Sequence, residues 1–255
     1  MNSERYSRQI LFAPLGEDGQ RKLTESSAVL VGCGALGSSI ANILVRSGIG
    51  TLTIIDPDQV ELSNLQRQSL FDEAAVAARR FKAEAAHERL GQNNHAVDVR
   101  VVIERLERHN IVQLIGRPNV ILDGCDNFPT RYLLNDYSVR ENIPWIFGAC
   151  AAAYGVAMPI LPGRTPCLRC IFPTPPEQTL TCQQVGILAP IVHMVAAIQT
   201  AEATKILSGN AAQITPVLFN VDLWESHLHA LRSVKRDPGC LCCAKRRFEF
   251  LEVPS

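Results

Sequence analysis

Apolar residues near the start of the chain change from a strand-like run to helical spacing and back again. Residues 26–31 form a short apolar run that predicts a buried strand, and residues 38–46 place their apolar side chains at helical spacing. Two glycines end that helix, and the β-branched run 51–55 then predicts a second strand. Strand, helix and strand in this order predict a βαβ unit.

The same alternation continues over the following hundred residues. Strands are predicted over residues 97–103, 119–122 and 144–149, and helices over residues 71–90, 107–115 and 131–141. The helix over 71–90 is rich in Ala, Glu, Lys and Arg, so we expect it to be largely solvated. The alternation predicts an α/β fold: a Rossmann-like, doubly wound, mainly parallel sheet with helices on both faces.

Beyond Gly155 the pattern changes to short strands and proline-rich loops, which predicts an antiparallel C-terminal extension. The most apolar stretch, residues 185–207, is interrupted by polar and charged residues. It therefore indicates a buried helix or a subunit interface in preference to a membrane span. We interpret His193 in this stretch as a satisfied core histidine and not as a catalytic base.

Composition narrows the choice of partner and compartment. The 25 basic residues balance 25 acidic ones, so no net field attracts a phosphate backbone and nucleic acid is not expected as the main partner. The first nine residues carry charges but lack the apolar stretch of a secretory signal. We therefore expect a cytoplasmic protein that is not bound to a membrane.

A glycine-rich loop joins the first predicted strand to the first predicted helix. Gly32 permits the tight turn, Gly34 lets the backbone approach a phosphate or ribose, and Gly37 lets the helix pack closely on the strand. Ala35 at the helix start is included among the nucleotide-binding candidates. Asp56, about twenty positions later, lies where a partner for a ribose hydroxyl is expected. An ordinary strand-to-helix turn is the alternative, and the loop does not distinguish NAD, FAD and ATP.

Polar and cationic side chains follow Asp56 in the segment S-N-L-Q-R-Q over residues 63–68. Arg67 could clamp phosphate oxygens through its guanidinium, and Lys82 could add a point charge. The alternatives are a solvated loop arginine and an exposed helix lysine. The nucleotide-binding candidates of this region are Ser63, Asn64, Leu65, Gln66, Arg67 and Lys82.

A second acidic group follows the fourth strand in the sequence D-G-C-D-N. Ligands of open α/β sheets bind beyond the carboxyl ends of the strands, so Asp126 is placed to hold a magnesium ion that bridges phosphates. Asn127 could add a hydrogen bond. The alternative is that Asp123 or Asp126 caps the helix that starts near Pro129. We favour the metal for Asp126 and the cap for Asp123.

Two cysteine pairs far apart in the chain have the spacing of a metal site. Cys167 and Cys170 lie on one tight turn, Cys240 and Cys243 on another, and together they could complete a tetrahedral zinc site. The ion would hold the C-terminal segment to the main domain. Cys242 leaves an ambiguity in the second pair, although it does not fit the spacing, and unmetallated reduced cysteines are the alternative.

The remaining cysteines divide into two classes. Cys33, Cys125 and Cys150 lie in or beside predicted strands, where we assign them packing roles. Cys182 precedes a predicted helix, whose N-terminus could lower its pKa and make it nucleophilic. An inert loop cysteine is an equally good interpretation of Cys182.

Taken together, these features resemble the ThiF/MoeB/HesA family, the bacterial relatives of ubiquitin-activating enzymes, over nearly the whole chain. The resemblance rests on Tyr6-Ser7-Arg8-Gln9, the glycine loop, Asp56, residues 63–68, Lys82, Cys125-Asp126-Asn127, Cys182 and both cysteine pairs. It implies an enzyme that binds ATP and Mg²⁺. The implied activity is adenylation of the C-terminal Gly-Gly carboxylate of a small ubiquitin-like sulfur carrier, ahead of thiocarboxylate formation.

The resemblance also implies a role for individual residues. The implied roles are ribose binding by Asp56, phosphate binding by Asn64, Arg67 and Lys82, magnesium binding by Asp126, structural zinc on Cys167, Cys170, Cys240 and Cys243, and attack on the activated acyl group by Cys182 or by a sulfur donor. Arg8 would reach the ATP of the neighbouring subunit in a homodimer with two composite sites. We expect one domain over residues 1–255, with a helical arm (1–25), a nucleotide-binding core (26–150) and a zinc-stapled carrier-binding and dimerisation part (151–255).

Two departures from the family pattern affect these expectations. Residues 77–82 lack the usual glycine and proline before the lysine, so Arg80 could share or take over the phosphate role of Lys82. The chain ends at Ser255, so a fused rhodanese domain is not expected and the sulfur donor would be a separate protein.

Other functions remain open from the sequence. An NAD-dependent oxidoreductase would explain the glycine loop and Asp56 but not Arg67, Asp126 or the four cysteines. A non-enzymatic adaptor that binds a ubiquitin-like protein would leave Arg67, Lys82 and Asp126 unexplained. Within the enzyme class, the same chemistry could activate the carboxylate of a small molecule, a peptide or a modified tRNA base.

Overall fold

The strands form a single eight-stranded sheet. The computed structural model describes residues 4–176 and 182–252, except for the side chains of residues 182 and 183. The strands are β1 (Ser27–Val31), β2 (Thr51–Ile55), β3 (Asp98–Val102), β4 (Val120–Asp123), β5 (Trp145–Ala151), β6 (Tyr154–Ile160), β7 (Leu218–Asp222) and β8 (His227–Leu231). Their order across the sheet is β3-β2-β1-β4-β5-β6-β7-β8.

Ten α-helices of very different length accompany the sheet in the described residues. They are α1 (Ser7–Ile10), α2 (Gly16–Thr24), α3 (Ala35–Ser47), α4 (Glu73–Ala77), α5 (Lys82–Asn93), α6 (Ile111–Ile115), α7 (Phe128–Glu141), α8 (Leu168–Ile171), α9 (Cys182–Val185) and α10 (Ala189–Leu207). Short 3-10 helices cover Leu62–Asn64 and Ala211–Gln213.

The sheet has a parallel half and an antiparallel half. Strands β1 to β5 pair in parallel. Strands β5 to β8 pair antiparallel as a meander. The α/β prediction with an antiparallel C-terminal extension is confirmed. The chain runs from β1 outward to β3 and then returns to place β4 on the other side of β1, so the strand order reverses between β1 and β4. A crevice at such a reversal is where open α/β sheets bind ligands.

Each face of the sheet has its own apolar core. One core packs α3, α5 and α10 against the sheet, and the other packs α6 and α7 together with the cysteine-rich C-terminal segment. Helix α10 is apolar on most of its surface because it lies between the sheet and α3. Among the helices of the described ranges, none is long and apolar enough to cross a bilayer.

The prediction of one largely solvated helix over residues 71–90 is wrong. Asp72 caps α4 by accepting a hydrogen bond from the Ala75 amide, and the chain then breaks at Arg79, whose φ is 49°. Helix α5 starts afresh at Lys82 and buries one face against the sheet, including Ala86 and Leu90. The three alanines of α5 are therefore packing residues, whereas most alanines of residues 73–78 are exposed.

Candidate functional site

The three glycines of the loop after β1 have different steric environments. Gly32 has a φ of 88°, and a Cβ there would meet the backbone of Gly124 at the end of β4. A Cβ on Gly37 would collide with the Gly32 carbonyl. Above Gly34, the nearest atom to a built Cβ is Nε2 of Gln68 at 3.8 Å. Gly32 and Gly37 therefore allow the backbone to pack closely, while Gly34 faces the open crevice.

Helix α3 starts at this loop without a side-chain cap. The amide of Ser38 donates to the carbonyl of Gly34 at 2.9 Å, which leaves the amides of the preceding turn available to another acceptor. Free amides and the helix dipole together favour an anion at this end of a helix. The start of α3, at Ala35, is thus a suitable position for a phosphate group.

Asp56 connects the end of β2 to the glycine loop. Its Oδ2 accepts a hydrogen bond from the Cys33 amide at 2.6 Å, and its Oδ1 accepts one from the Asp58 amide at 2.8 Å. Burial raises the pKa of Asp56 above its ordinary value, while the Cys33 amide and the charge of Lys82 act in the opposite direction. Each carboxylate oxygen keeps a second lone pair, so a ribose hydroxyl could still donate to it. The ribose role of Asp56 stays a prediction.

Lys82 is buried beside the crevice and is not an exposed helix lysine. It is 8% exposed, and its Nζ lies 2.9 Å from Oδ2 of Asp58. The backbone amide of Lys82 also donates to the Asp58 carbonyl at 2.8 Å, which fixes the first residue of α5. Arg80, in contrast, forms an ion pair with Glu88 on the outer surface. The geometry therefore favours Lys82 over Arg80 as the cation of this site.

The segment 63–68 forms one wall of the crevice. Arg67 is half-buried and donates to the Ser63 carbonyl at 2.8 Å. Asn64 is buried and accepts from the Glu61 amide, so its oxygen holds the turn. Leu65 is half-buried and Gln66 is exposed.

Gln68, at the end of this wall, is a candidate that the sequence analysis did not select. It is 4% exposed, its Nε2 is next to Gly34, and its Oε1 has no hydrogen-bond partner in the described structure. A buried carboxamide without a partner is costly, so a bound ligand is a natural partner for it. Only its position in the S-N-L-Q-R-Q segment could have indicated this from the sequence.

The two aspartates at and after the end of β4, Asp123 and Asp126, have separate roles, and neither caps α7. Asn127 is the cap, because its Oδ1 accepts from the Thr130 amide at 3.0 Å. Asp123 is fully buried and pairs with Nε of Arg131 at 3.2 Å. Burial raises the pKa of Asp123, and the charge of Arg131 opposes that shift. The expectation of an aspartate cap is wrong because Asn127 lies one residue before the helix.

Asp126 is exposed in the loop three residues beyond the carboxyl end of β4, the strand that pairs with β1 beside the glycine loop. Its Oδ1 accepts a hydrogen bond from Nδ2 of Asn127 at 3.1 Å. An exposed carboxylate of this kind suits Mg²⁺, which prefers oxygen ligands and keeps several of its waters.

Arg8 lies far from the glycine loop of its own chain. Its neighbours in the N-terminal arm anchor at the other end of α3: Gln9 donates to the Ser47 carbonyl at 3.0 Å, and Tyr6 packs against Gly48. The length of α3 separates the two ends by about 20 Å. Arg8 itself is exposed.

Four cysteines come together as the spacing predicts. The sulfurs of Cys167, Cys170, Cys240 and Cys243 all lie within 4.8 Å of one another. Neighbouring sulfur atoms in this cluster are 3.4 to 3.8 Å apart. Zinc with tetrahedral Zn–S bonds of about 2.3 Å requires sulfurs about 3.8 Å apart, so the cluster fits zinc. Cys242 is outside the cluster, which resolves the ambiguity in the second pair.

The other singled-out side chains divide between packing and the surface. Cys33 and Cys125 are buried and Cys150 is half-buried, in agreement with packing roles. His193 is exposed, and its Nδ1 lies 2.9 Å from Oγ of Ser39, so the prediction of a core histidine is wrong. Cys182 is the first residue of α9, and its side chain lies outside the described residues.

Relatives of known function share nearly the whole chain. It is 44% identical over 249 residues to the sulfur carrier protein ThiS adenylyltransferase of Bacillus subtilis, covering 97% of this chain and 73% of that protein. It is 36% identical over 247 residues to the sulfur carrier protein adenylyltransferase of Thermus thermophilus, with 94% and 90% covered. It is 34% identical over 251 residues to the SAMP-activating enzyme E1 of Haloferax volcanii, with 98% and 92% covered.

Comparison with solved structures and with a family model leads to the same family. E. coli MccB with ATP superposes with a TM-score of 0.81 at 26% identity, covering 94% of this chain and 73% of that one. MccB alone gives a TM-score of 0.82 at 24% identity, with 95% and 73% covered, which shows a common fold. The model described as the ThiF family matches residues 6–242. The predictions of the family and of the adenylyltransferase class are confirmed, and the chain belongs to the ThiF family.

Proposed function

We propose that this protein uses ATP to adenylate the C-terminal carboxylate of a small ubiquitin-like sulfur carrier that ends in Gly-Gly. The observation that carries the proposal is the buried Lys82 beside the crevice of the glycine loop. A buried cation near free helix amides suits the phosphates of a nucleotide, and the adenylyltransferase names of the relatives favour ATP over NAD as that nucleotide. The names of the relatives from Bacillus subtilis and Thermus thermophilus supply the substrate class.

In this proposal ATP lies across the carboxyl ends of the parallel strands. Asp56 accepts a hydrogen bond from a ribose hydroxyl. The amides at the start of α3 and Lys82 bind the phosphates, and Arg67 binds them from the wall over residues 63–68. Asp126 holds Mg²⁺, which when bound neutralises charge on the phosphates. Gln68 completes the contacts through the carboxamide that faces Gly34.

The reaction is an in-line displacement at the α-phosphorus. A carboxylate oxygen of the carrier forms a bond to that phosphorus, while the bond to the oxygen bridging the α- and β-phosphates breaks. Pyrophosphate leaves with that oxygen, and the carrier keeps an acyl-adenylate. The charge that develops lies on phosphate oxygens, so Lys82 and Arg67 contribute by position and electrostatics, without transferring a proton.

We further propose a homodimer in which Arg8 reaches the ATP of the partner subunit. Two observations support this arrangement: Arg8 is remote from the loop of its own chain, and two neighbouring apolar side chains, Leu11 and Phe12, are 72% and 64% exposed. Apolar exposure of this size next to a cation is typical of a surface that another chain covers.

Sulfur transfer follows adenylation in this scheme. The persulfide sulfur of a separate donor, or the thiolate of Cys182, attacks the acyl carbon and AMP leaves. The donor gives an acyl disulfide, from which a second thiol releases the thiocarboxylate and is itself oxidised to a disulfide; Cys182 gives a thioester, from which sulfide releases the thiocarboxylate and frees the thiol. The zinc site of Cys167, Cys170, Cys240 and Cys243 takes no part, because its four thiolates leave no open position for a substrate.

Incubation with ATP, Mg²⁺ and each candidate carrier, followed by mass spectrometry of the carrier, tests the proposal. A carrier with an intact Gly-Gly end should gain the mass of AMP, and a carrier lacking its last glycine should not. A protein that modifies no ubiquitin-like carrier, but adenylates a small carboxylate or a peptide, would contradict the substrate class. Retention of NAD without any use of ATP would contradict the reaction.

A further inference from the structure

Asn135, in the middle of α7, contacts both turns of the four-cysteine cluster. Its Oδ1 accepts a hydrogen bond from the amide of Leu168 at 2.8 Å, directly after Cys167. Its Nδ2 donates to the sulfur of Cys242 at 3.2 Å, directly before Cys243. One carboxamide therefore connects two segments that lie about seventy residues apart, without contacting any of the four sulfurs in the cluster.

The position of Asn135 is unfavourable without these two bonds. Asparagine is a poor helix former, and this side chain is completely buried. A buried carboxamide that lacks hydrogen-bond partners destabilises the fold, because its polar groups have lost water and gained nothing in exchange. Its two ends are satisfied only when the two cysteine turns have the separation seen here, so the side chain favours that separation.

Further contacts hold the same segments together. Oδ2 of Asp136 accepts from the Phe250 amide at 3.0 Å, and Arg169 forms an ion pair with Glu249 at 2.9 Å. The first contact docks the C-terminal segment on α7, and the second connects that segment to the Cys167–Cys170 turn, in which Arg169 lies. Both reach the C-terminal segment several residues beyond Cys243, whereas Asn135 acts next to the ligands themselves.

We propose that Asn135 is a positioning residue for the metal. Its carboxamide sets the distance between the Cys167 turn and the Cys243 turn, and Cys242 serves as the acceptor for this contact and not as a ligand. Groups that orient metal ligands in this way typically change metal affinity by about 10- to 100-fold when they are removed.

Zinc affinity, measured by competition with a chromophoric chelator, is the main test. Asn135→Ala should weaken zinc binding by about 10- to 100-fold although all four ligands remain. Asn94→Ala is the matched control, because Asn94 is also a buried asparagine whose Nδ2 bonds to Tyr6 and to the Val45 carbonyl, remote from the cluster. It should lower the melting temperature without changing zinc affinity. Equal zinc affinity in folded Asn135→Ala and in the wild type would overturn the proposal.

Two milder variants keep the test decisive if Asn135→Ala does not fold. Asn135→Asp retains the acceptor for Leu168 but loses the donor to Cys242, and Cys242→Ala removes the same contact from the other side. Each should weaken zinc binding, and the double variant should be no weaker than the worse single one. Wild-type affinity in both single variants, or full additivity in the double variant, would contradict the proposed contact.

The absorption spectrum of the cobalt-loaded protein identifies the ligands independently of enzymatic activity. Cys242→Ser and Asn135→Ala should both keep the bands of a tetrahedral four-thiolate site, whereas Cys240→Ser should lose part of the thiolate charge transfer. Loss of a thiolate in Cys242→Ser would show that Cys242 is a ligand, and the proposal would then be wrong.

Discussion

The nucleotide crevice and the cysteine cluster are assembled in opposite ways. At the crevice, short consecutive segments follow strands β1, β2 and β4, and the parallel sheet brings their ends together. At the cluster, two turns distant in the chain meet on α7, and side-chain contacts from Asn135 and Arg169 decide how they fit. The crevice depends on backbone geometry, whereas the cluster depends on a network of buried polar side chains.

The comparison predicts that substitutions of exposed residues in the crevice affect catalysis, whereas substitutions of the buried residues that support the crevice affect stability. Asp126→Ala should lower carrier-dependent exchange of pyrophosphate into ATP by about 1000-fold, because it removes the carboxylate that we propose as the ligand for Mg²⁺. Folding and zinc content should not change. Asp98→Ala, another exposed aspartate at the start of β3, is the control. Unchanged exchange in Asp126→Ala would remove this residue from the site.

Asp123, three residues earlier, should respond in the opposite way. Asp123→Ala removes the counter-charge of the buried Arg131 guanidinium, which keeps only carbonyl acceptors, and the acceptor of the Cys125 amide. The free energy of unfolding should therefore fall by about 3 kcal/mol. Urea denaturation at neutral pH measures this loss. A variant as stable as the wild type would show that the ion pair does not support the floor of the crevice.

Two helical glycines test the dependence of the crevice on its backbone. Gly37→Ala places a Cβ against the Gly32 carbonyl, so stability should fall by about 2 kcal/mol. Gly91→Ala, in α5, meets no atom and should raise stability by about 0.5 to 1 kcal/mol. Thermal denaturation of the two variants gives opposite signs if the close contact is essential. The same sign in both would contradict the steric argument.

Gln68→Ala tests the wall of the crevice. Loss of one hydrogen bond to the nucleotide corresponds to about a tenfold increase in KM for ATP, with little change in stability, since its Oε1 has no partner within the described protein. Steady-state exchange kinetics measure this value. Gln113→Ala, an exposed glutamine on α6, is the control, and an identical KM in both variants would show that Gln68 does not contact ATP.

The smallest effect is expected for Cys182→Ala. Adenylation precedes any attack on the acyl carbon, so pyrophosphate exchange should be unchanged even where thiocarboxylate formation falls. Exchange and thiocarboxylate should be measured on the same preparation. Loss of exchange would assign Cys182 to the earlier step.

Local sequence patterns predicted the close backbone packing at Gly32 and Gly37, since a tight turn after a buried strand leaves few choices of residue. They selected Lys82 as a candidate but did not show its burial at the start of a new helix, because the composition of residues 71–90 is typical of a solvated helix and does not show the break at Arg79. They also misplaced the cap of α7, because Asp, Asn and Pro near a helix start give equivalent signals.

For the cysteine cluster, the sequence predicted the four ligands but not the side chains that surround them. Two CxxC pairs identify four sulfurs, and the two-residue spacing already disfavours Cys242. Nothing near Asn135 in the sequence indicates a contact to either pair, because both partners are distant in the chain and meet α7 only in the folded protein.

The backbone contact between Gly32 and Gly124 has a consequence for how this enzyme could acquire a new substrate. Neither position can accept a side chain, so substitutions at these two positions of the floor between β1 and β4 are not tolerated. Directed evolution toward another nucleoside triphosphate should therefore concentrate its substitutions in the wall over residues 63–68, and the two floor glycines should persist in every active lineage.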